Sequence, residues 1–209
     1  ALSDPRELVR LRGQLLASGR LELDELAPLL VRAGLPIERT TGLLRFEAQL
    51  RNQRDELGPE FALLLTTNGL RIVEEPRVAA EADTSAAAID QQPFALEGID
   101  AHVSTHVRPE QGVAFGTLIL LDRGGTLANV QFELQLPQPW RTSLWQPQLL
   151  YEAPIKVRLE TPSRRLSSLP TLLRPAGLRG RAALVAILDG NLANPLIRAQ
   201  LSATRLRGA

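Results

Sequence analysis

Cysteine and methionine are absent from this chain of 209 residues, lysine occurs once, at Lys156, and aromatic residues make up only 4%. The lack of cysteine excludes disulfide bonds, thiolate nucleophiles and cysteine-ligated metals, and it leaves both cytosol and periplasm open as compartments. The scarcity of aromatic residues argues against a platform that stacks nucleotides or sugars. Because no methionine stands at position 1 and no signal-like stretch precedes the first polar residues, we expect a fragment of a larger protein, with any signal or membrane anchor outside it.

Neither sign of charge is in excess, since 24 Lys and Arg stand against 23 Asp and Glu. A chain so nearly neutral has no global field that would hold nucleic acid or an anionic membrane, so we expect no nucleic-acid partner. Long apolar runs are missing too. The longest ones, such as Ala182 to Leu188, are far shorter than the roughly 18 residues that indicate a membrane-spanning helix.

What the chain does have, from end to end, is an apolar residue at every second position. Between Val130 and Leu136, the residues Val, Phe, Leu and Leu alternate with Gln, Glu and Gln, so one side of a strand would be apolar and the other polar. The same alternation runs through 44–51, 99–108, 155–160 and 197–204. One apolar face and one solvent-exposed polar face are typical of antiparallel sheets, whereas the buried strands of parallel sheets are continuous apolar runs.

Turn residues separate these segments, and one pattern is written twice. Asn68-Gly69, Gly124-Gly125 and Asp189-Gly190 are pairs that accept a positive φ, so hairpins are the expected connections. The stretches GTLANVQFELQL (125–136) and GNLANPLIRAQL (190–201) agree at six of twelve positions. Repetition of this kind extends one architecture along a chain.

Short helices are expected at two places, again as a repeat. Residues 23–35 (LDELAPLLVRAGL) and 166–178 (LSSLPTLLRPAGL) agree at seven of thirteen positions, with apolar residues at helical spacing and a glycine near the end. Asp24 is a candidate N-cap of the first helix, and proline inside each segment keeps both short. The match continues, with gaps, to Gly42 or Gly180 and an alternating strand.

The predicted fold is therefore mostly β. We expect residues 1–209 to form a single repeat-built segment, a curled antiparallel sheet with an apolar concave face and one or two short helices. Residues 81–93 (EADTSAAAIDQQP) carry the weakest pattern in the chain and are expected to form a loop.

Catalytic chemistry has no recognisable constellation here, so we expect no enzyme, no cofactor and no metal site. His102 and His106 lie four residues apart, which on a helix would suggest a metal pair, but their segment alternates like a strand and places both on its polar side. Trp140 and Trp145 flank a proline-rich bend. They could contact a ligand, although aromatic residues there more often close the end of a sheet.

Three stretches resemble the TamB branch of the AsmA-like proteins. They are Leu169 to Gly208 (LPTLLRPAGLRGRAALVAILDGNLANPLIRAQLSATRLRG), Leu23 to Asn52 (LDELAPLLVRAGLPIERTTGLLRFEAQLRN) and GTLANVQFELQL. The resemblance lies in the recurring order of short helical or loop segment, glycine, amphipathic strand, turn and return strand. It implies an inner-membrane-anchored protein of the periplasm that builds a long curled sheet, likened to a taco, whose apolar groove carries phospholipid between the inner and outer membranes. It also implies a link to outer-membrane protein assembly, with a barrel partner or a client β-strand.

The residue pattern leads to the same kind of surface, because an antiparallel sheet with one apolar face must cover it with protein or with a ligand, and two short helices are too few for many strands. We expect phospholipid acyl chains to lie on a groove lined by Leu44, Phe46, Leu50, Ile99, Val103, Val130, Phe132, Leu134, Leu136, Ile155, Val157, Leu159, Ile197 and Leu201. The alternative is a ligand-free β-sandwich or β-solenoid of a surface adhesin, in which the same stripe forms a closed core.

Overall fold

A computed structural model describes residues 13–26, 37–52, 58–74, 95–144, 146–169 and 177–208, which fold as a single antiparallel sheet. Its strands are β1 (Gly13–Glu22), β2 (Ile37–Asn52), β3 (Glu60–Glu74), β4 (Ala95–Glu97), β5 (Ile99–Arg108), β6 (Val113–Asp122), β7 (Gly125–Gln135), β8 (Ile155–Arg165), β9 (Leu178–Gly190) and β10 (Pro195–Gly208). Short 3-10 turns lie at Leu23–Leu26, Pro109–Gln111, Trp140–Leu144, Pro147–Leu150 and Leu166–Ser168. The predicted mostly-β, antiparallel class is confirmed.

The strands are arranged in chain order, as a meander. β1, β2, β3, β5, β6, β7, β8, β9 and β10 follow one another across the sheet, and β4 also pairs with β3. β4 and β5 are two halves of one strand, interrupted at Gly98, whose φ of 70° breaks the extended backbone. The sheet is open, with β1 and β10 as its edges.

The two copies of the twelve-residue pattern, 125–136 and 190–201, both lead into a strand, but the turns that precede those strands differ. Gly125 and Gly190 both adopt a positive φ, 104° and 105°. In the first copy β7 begins at once, whereas in the second the Oδ1 of Asn191 accepts a hydrogen bond from the N–H of Asn194 (2.7 Å) and the strand begins at Pro195. Proline lacks the N–H that a ladder needs, which explains the later start.

The two predicted helices begin as single 3-10 turns, Leu23–Leu26 and Leu166–Ser168, and most of their remaining residues, 27–35 and 170–176, lie outside the described residues. Asp24 was predicted to precede the first helix as its N-cap, and this is wrong: it is the second residue of the turn, where its Oδ1 accepts the N–H of Glu25 (3.1 Å). The predicted loop at 81–93 and Trp145 also lie outside the described residues.

The glycines that continue both repeats, Gly42 and Gly180, lie at irregularities of the ladder. Their φ values are 124° and 140°. A Cβ on Gly42 would lie 2.8 Å from the carbonyl oxygen of Gly69, and one on Gly180 would lie 2.9 Å from that of Thr204. Only glycine fits such a conformation and such a close backbone approach, so each repeat carries its glycine where a strand departs from regular pairing.

Candidate functional site

Strand register divides the sheet into an apolar face and a polar face, because residues directly opposite each other on antiparallel strands point to the same side. We number two central rows of the apolar face, each crossing the sheet from β2 to β10. The first comprises Phe46, Leu65, Val103, Leu118, Val130, Leu159, Ala186 and Ala199. The second comprises Ala48, Leu63, Thr105, Gly116, Phe132, Val157, Leu188 and Ile197.

All fourteen residues predicted to line a groove lie on this apolar face. Seven of them are in the central rows. Leu50, Leu134 and Ile155 form a row on one side, Leu44 and Leu201 fall in a row on the other, and Leu136 and Ile99 lie one alternation farther out. Reasoning from single segments missed members of the same rows on β3, β6 and β9, namely Leu63, Leu65, Leu118, Ala186 and Leu188, because those strands do not alternate cleanly.

On the apolar face the central side chains are more exposed than the marginal ones, whereas in an ordinary core the central ones are the most buried. Among the described residues, every large aliphatic or aromatic side chain of the central rows is half-buried or exposed, and none of the chain's large side chains falls below 2% exposure. Apart from Gly116 in the second central row, the buried residues lie at the two margins. In a sandwich the centre of each sheet is the most buried part, so the described residues form two closed margins around an open centre.

The first margin is closed by the segment after β7, which folds back over the strand ends. Trp140 (8% exposed) and Leu136 pack with Val107 and Ala114, and partly buried Phe61, Leu134 and Leu150 surround them. The N–H of Leu136 donates to the carbonyl of Gly112 (2.8 Å). Among the described residues, the buried indole Nε1 of Trp140 has no hydrogen-bond partner, and the contacts shown for this side chain are apolar packing contacts.

The second margin contains a buried ion pair. Arg164 on β8 binds Asp122 on β6 in a bidentate manner (Nη1–Oδ2 2.9 Å, Nη2–Oδ1 2.8 Å), and both side chains are under 10% exposed. The guanidinium passes close to Gly124, where a Cβ would lie 2.1 Å from Nη2. Burial alone would raise the pKa of Asp122, but the hydrogen bonds from Arg164 and from the N–H of Gly124 outweigh it and hold the pKa below its usual value.

Further buried apolar and hydroxyl groups lie along the same margin. Ile99 is 3% exposed and Leu127 4% exposed, and the hydroxyl of Thr40 donates to the carbonyl of Leu23, which fixes the first 3-10 turn against β2. Leu166 in the last 3-10 turn is also buried. The second margin is therefore made of the two 3-10 turns that the sequence repeats, with a charged pair between them.

Two aromatic rings lie over glycines on the apolar face. A Cβ on Gly116 would lie 2.7 Å from the ring of Phe132 and 2.3 Å from the carbonyl oxygen of Ser104. A Cβ on Gly19 would lie 2.7 Å from the ring of Phe46. The two glycines therefore leave the space that these rings occupy on the apolar face.

The polar face carries both histidines, as the strand pattern predicts. His102 and His106 are exposed, and His106 stacks on Phe115 with ring centroids 5.4 Å apart. Among the described residues, no three His, Cys, Asp or Glu side chains gather as a metal site would require. A shallow cavity of about 500 Å³ lies mostly on this face near β1 to β3, with Glu47, Gln49 and Ser104 in its lining.

Comparisons with known protein families, with curated proteins and with solved structures found no match. In the part of the chain that the structure describes, no helix has the length and apolar character to cross a membrane.

Proposed function

We propose that this chain is a periplasmic segment of a TamB-like envelope protein and that its apolar face binds phospholipid acyl chains in transit between the inner and outer membranes. The observation that carries the proposal is the reversed burial, in which closed margins flank a half-exposed apolar centre that continues across the sheet. Soluble proteins rarely leave so large an apolar surface without a guest.

The dimensions suit a flexible apolar guest. Nine successive strands span about 38 Å from β1 to β10, at about 4.8 Å per strand. Two central rows with their flanking rows give a width of about 20 Å, at about 3.4 Å per residue along a strand. Ten methylenes, each half-covered by such a surface, would contribute about 4 kcal/mol before the cost of ordering the chain.

The apolar face also suits lipids that differ in headgroup and chain length. Apart from the Thr105 hydroxyl, the side chains of the central rows offer no hydrogen-bonding group, so they cannot demand one particular headgroup or chain length. Such a surface favours passage over tight and selective capture. The resemblance to TamB-like proteins supplies the envelope setting, and the continuity of the rows across all strands from β2 to β10 supplies a path.

A client β-strand is a second candidate guest, favoured by one feature of the edge. β10 has fourteen residues, all exposed, and it pairs only with β9 among the described strands. An edge of this length can accept an added strand through main-chain hydrogen bonds. This guest would fit a role in outer-membrane protein assembly with a barrel partner.

The adhesin alternative requires the apolar stripe to be a closed core. A sandwich needs a second sheet over the first, and the described strands form one sheet; a solenoid needs parallel coils, and every described pairing is antiparallel. These observations favour the groove over that alternative.

Lipid extraction from purified protein tests the proposal. The chain is produced in the periplasm of a bacterial host, purified without detergent, and its extracted lipids are quantified by mass spectrometry. We expect phospholipid with the wild-type chain. Phe132→Arg puts a charge in the second central row, where burial is partial, so the variant should fold and lose most of its lipid. Leu134→Arg lies against the first margin and should lose both lipid and stability.

The matched control is Gln131→Arg, which adds the same side chain one residue away on the exposed polar face. It should retain wild-type lipid. Stable Phe132→Arg and Leu134→Arg proteins with unchanged lipid would show that the apolar face is not the binding surface, and a wild-type chain without lipid would favour a closed scaffold.

A further inference from the structure

Five arginines meet at one corner of the sheet, although the chain as a whole is nearly neutral. The corner comprises the end of β8, the start of β9 and the end of β10. Arg165 lies directly opposite Arg181, and Arg179 lies directly opposite Arg207. Arg205 stands in the bulge of β10 with a φ of 54°, and all five side chains are exposed. We call this group the arginine corner.

In the part of the chain that the structure describes, no carboxylate pairs with the arginine corner. Residues 161–169, 177–185 and 200–208 contain no Asp or Glu, and none of the five arginines forms a salt bridge with a described residue. Elsewhere on the same sheet arginines do find partners, as Arg158 does with Glu160 and Arg198 with Asp189. Like charges directly opposite each other on neighbouring strands are destabilising. Two such pairs without a counter-charge leave a local anion-binding surface.

Two exposed leucines lie within the same corner. Leu178 is 44% exposed and Leu206 is 51% exposed, and Leu178 pairs with Gly208 at the end of β10. Leu206 belongs to the bulge, and its Cδ2 would be 3.0 Å from a Cβ on Gly180, so the bulge holds this leucine over the strand beside it. Arginines around exposed leucines combine electrostatic attraction with an apolar anchor, which is the chemistry of a bilayer interface.

We propose that the arginine corner contacts the surface of a bilayer containing anionic phospholipid. The inference depends on charge and exposure at this corner and not on what occupies the apolar face. The corner adjoins the second margin, where Arg164 and Asp122 pair, and on β10 it begins six residues beyond Ala199 of the first central row. A bilayer docked there would meet the sheet at the corner formed by its second margin and its β10 edge.

A bilayer fits this corner better than nucleic acid does. No aromatic residue occurs in the three segments that form the corner, so bases would have nothing to stack on. Exposed leucines give no advantage in binding a phosphate backbone, whereas they gain by entering the interfacial region of a membrane. The near-neutral total charge also confines the attraction to this corner.

Vesicle flotation with the intact chain tests the proposal. The probes are vesicles of phosphatidylcholine alone and vesicles with about one third phosphatidylglycerol, in about 0.1 M NaCl, where the screening length is about 10 Å. We expect binding to the anionic vesicles only. The double variant Arg179→Gln/Arg207→Gln should weaken it about 30-fold, because each arginine near an anionic surface contributes about fivefold in affinity. Its thermal midpoint should be equal or higher, since one like-charge pair is removed.

The matched control is Arg20→Gln/Arg45→Gln. These arginines are also exposed and directly opposite each other, but Glu22 and Glu47 lie beside them on the same face. The control removes the same charge from a balanced region and should change vesicle binding less than twofold. Leu178→Ser/Leu206→Ser should weaken binding while every charge is kept.

Three results would overturn the proposal: no flotation of the wild-type chain on anionic vesicles, equal weakening in the two arginine double variants, or tighter binding to a single-stranded oligonucleotide at the same phosphate concentration. The last outcome would assign the arginine corner to nucleic acid instead.

Discussion

Breaking the ion pair between Asp122 and Arg164 should cost the sheet much of its stability. The pair is bidentate, and its side chains are 8% and 9% exposed, so water cannot replace a missing partner. Removing one member of a buried pair leaves an uncompensated charge, and we expect Asp122→Asn and Arg164→Met each to lower the free energy of unfolding by about 3 kcal/mol. Replacing both residues with apolar ones, as in Asp122→Leu/Arg164→Met, should restore most of the loss, because the surroundings are apolar.

Urea denaturation followed by circular dichroism measures these differences at pH 7. With the single variant Asp122→Leu added, wild type, Arg164→Met and the double variant form a double-mutant cycle. We expect a coupling energy of about 5 kcal/mol, because two single losses of about 3 kcal/mol each become one of about 1 kcal/mol in the double variant. Single variants that each cost under about 1 kcal/mol and add without coupling would place the pair with ordinary surface ion pairs and refute the argument.

Acid titration provides a second test of the ion pair. The pKa of folded Asp122 lies below the ordinary 3.8, so the stability it contributes is complete above that pH and is lost as the pH falls through the lowered value. The gap between wild type and Asp122→Asn, in which residue 122 does not titrate, should therefore be constant from pH 7 to about pH 5 and narrow below it. A gap that narrows between pH 7 and pH 5 would contradict this assignment.

Five further substitutions, at four positions, separate rigid contacts from adaptable ones. Gly116→Ala should destabilise the chain by about 3 kcal/mol or more, because the new Cβ meets the carbonyl of Ser104, whereas Gly19→Ala meets only the ring of Phe46 and should cost about 1 kcal/mol; equal losses in thermal melts would contradict this. Trp140→Phe should stay within about 1 kcal/mol of wild type in urea, since Nε1 has no hydrogen-bond partner among the described residues, and Trp140→Ala should cost about 3 kcal/mol. Gly124→Ala should lower the free energy of unfolding as much as Asp122→Asn does, because its Cβ takes the space of the Arg164 guanidinium. The double variant Asp122→Asn/Gly124→Ala should be as stable as either single variant.

The alternation of single strands was sufficient to predict the class of fold and the face on which each lining residue lies. β7 is the clearest example, since Val130, Phe132 and Leu134 fall on one face as the period of two requires. Strands with runs of apolar residues gave weaker signals. In β6, Leu118 is on the apolar face and Ile119 on the polar face, so both are apolar and no alternation marks either one.

Contacts between distant segments could not be predicted from local patterns. Asp122 and Arg164 are 42 residues apart, and nothing near either residue indicates that they face each other across β7. The arginine corner has the same origin, because only the strand order brings Arg165, Arg181 and Arg207 together. Net charge and spacing along the chain say nothing about such juxtapositions, which depend on register.

Thiol labelling tests most directly whether the centre of the apolar face is open. The chain has no cysteine, so each introduced cysteine is its only thiol. We expect Val130→Cys and Val157→Cys, in the two central rows, to react readily with a water-soluble maleimide after delipidation and to be protected when phospholipid is restored. Val107→Cys, in the closed first margin, should react slowly in both states. Slow labelling at all three positions, unaffected by lipid, would show a sealed core and contradict the groove.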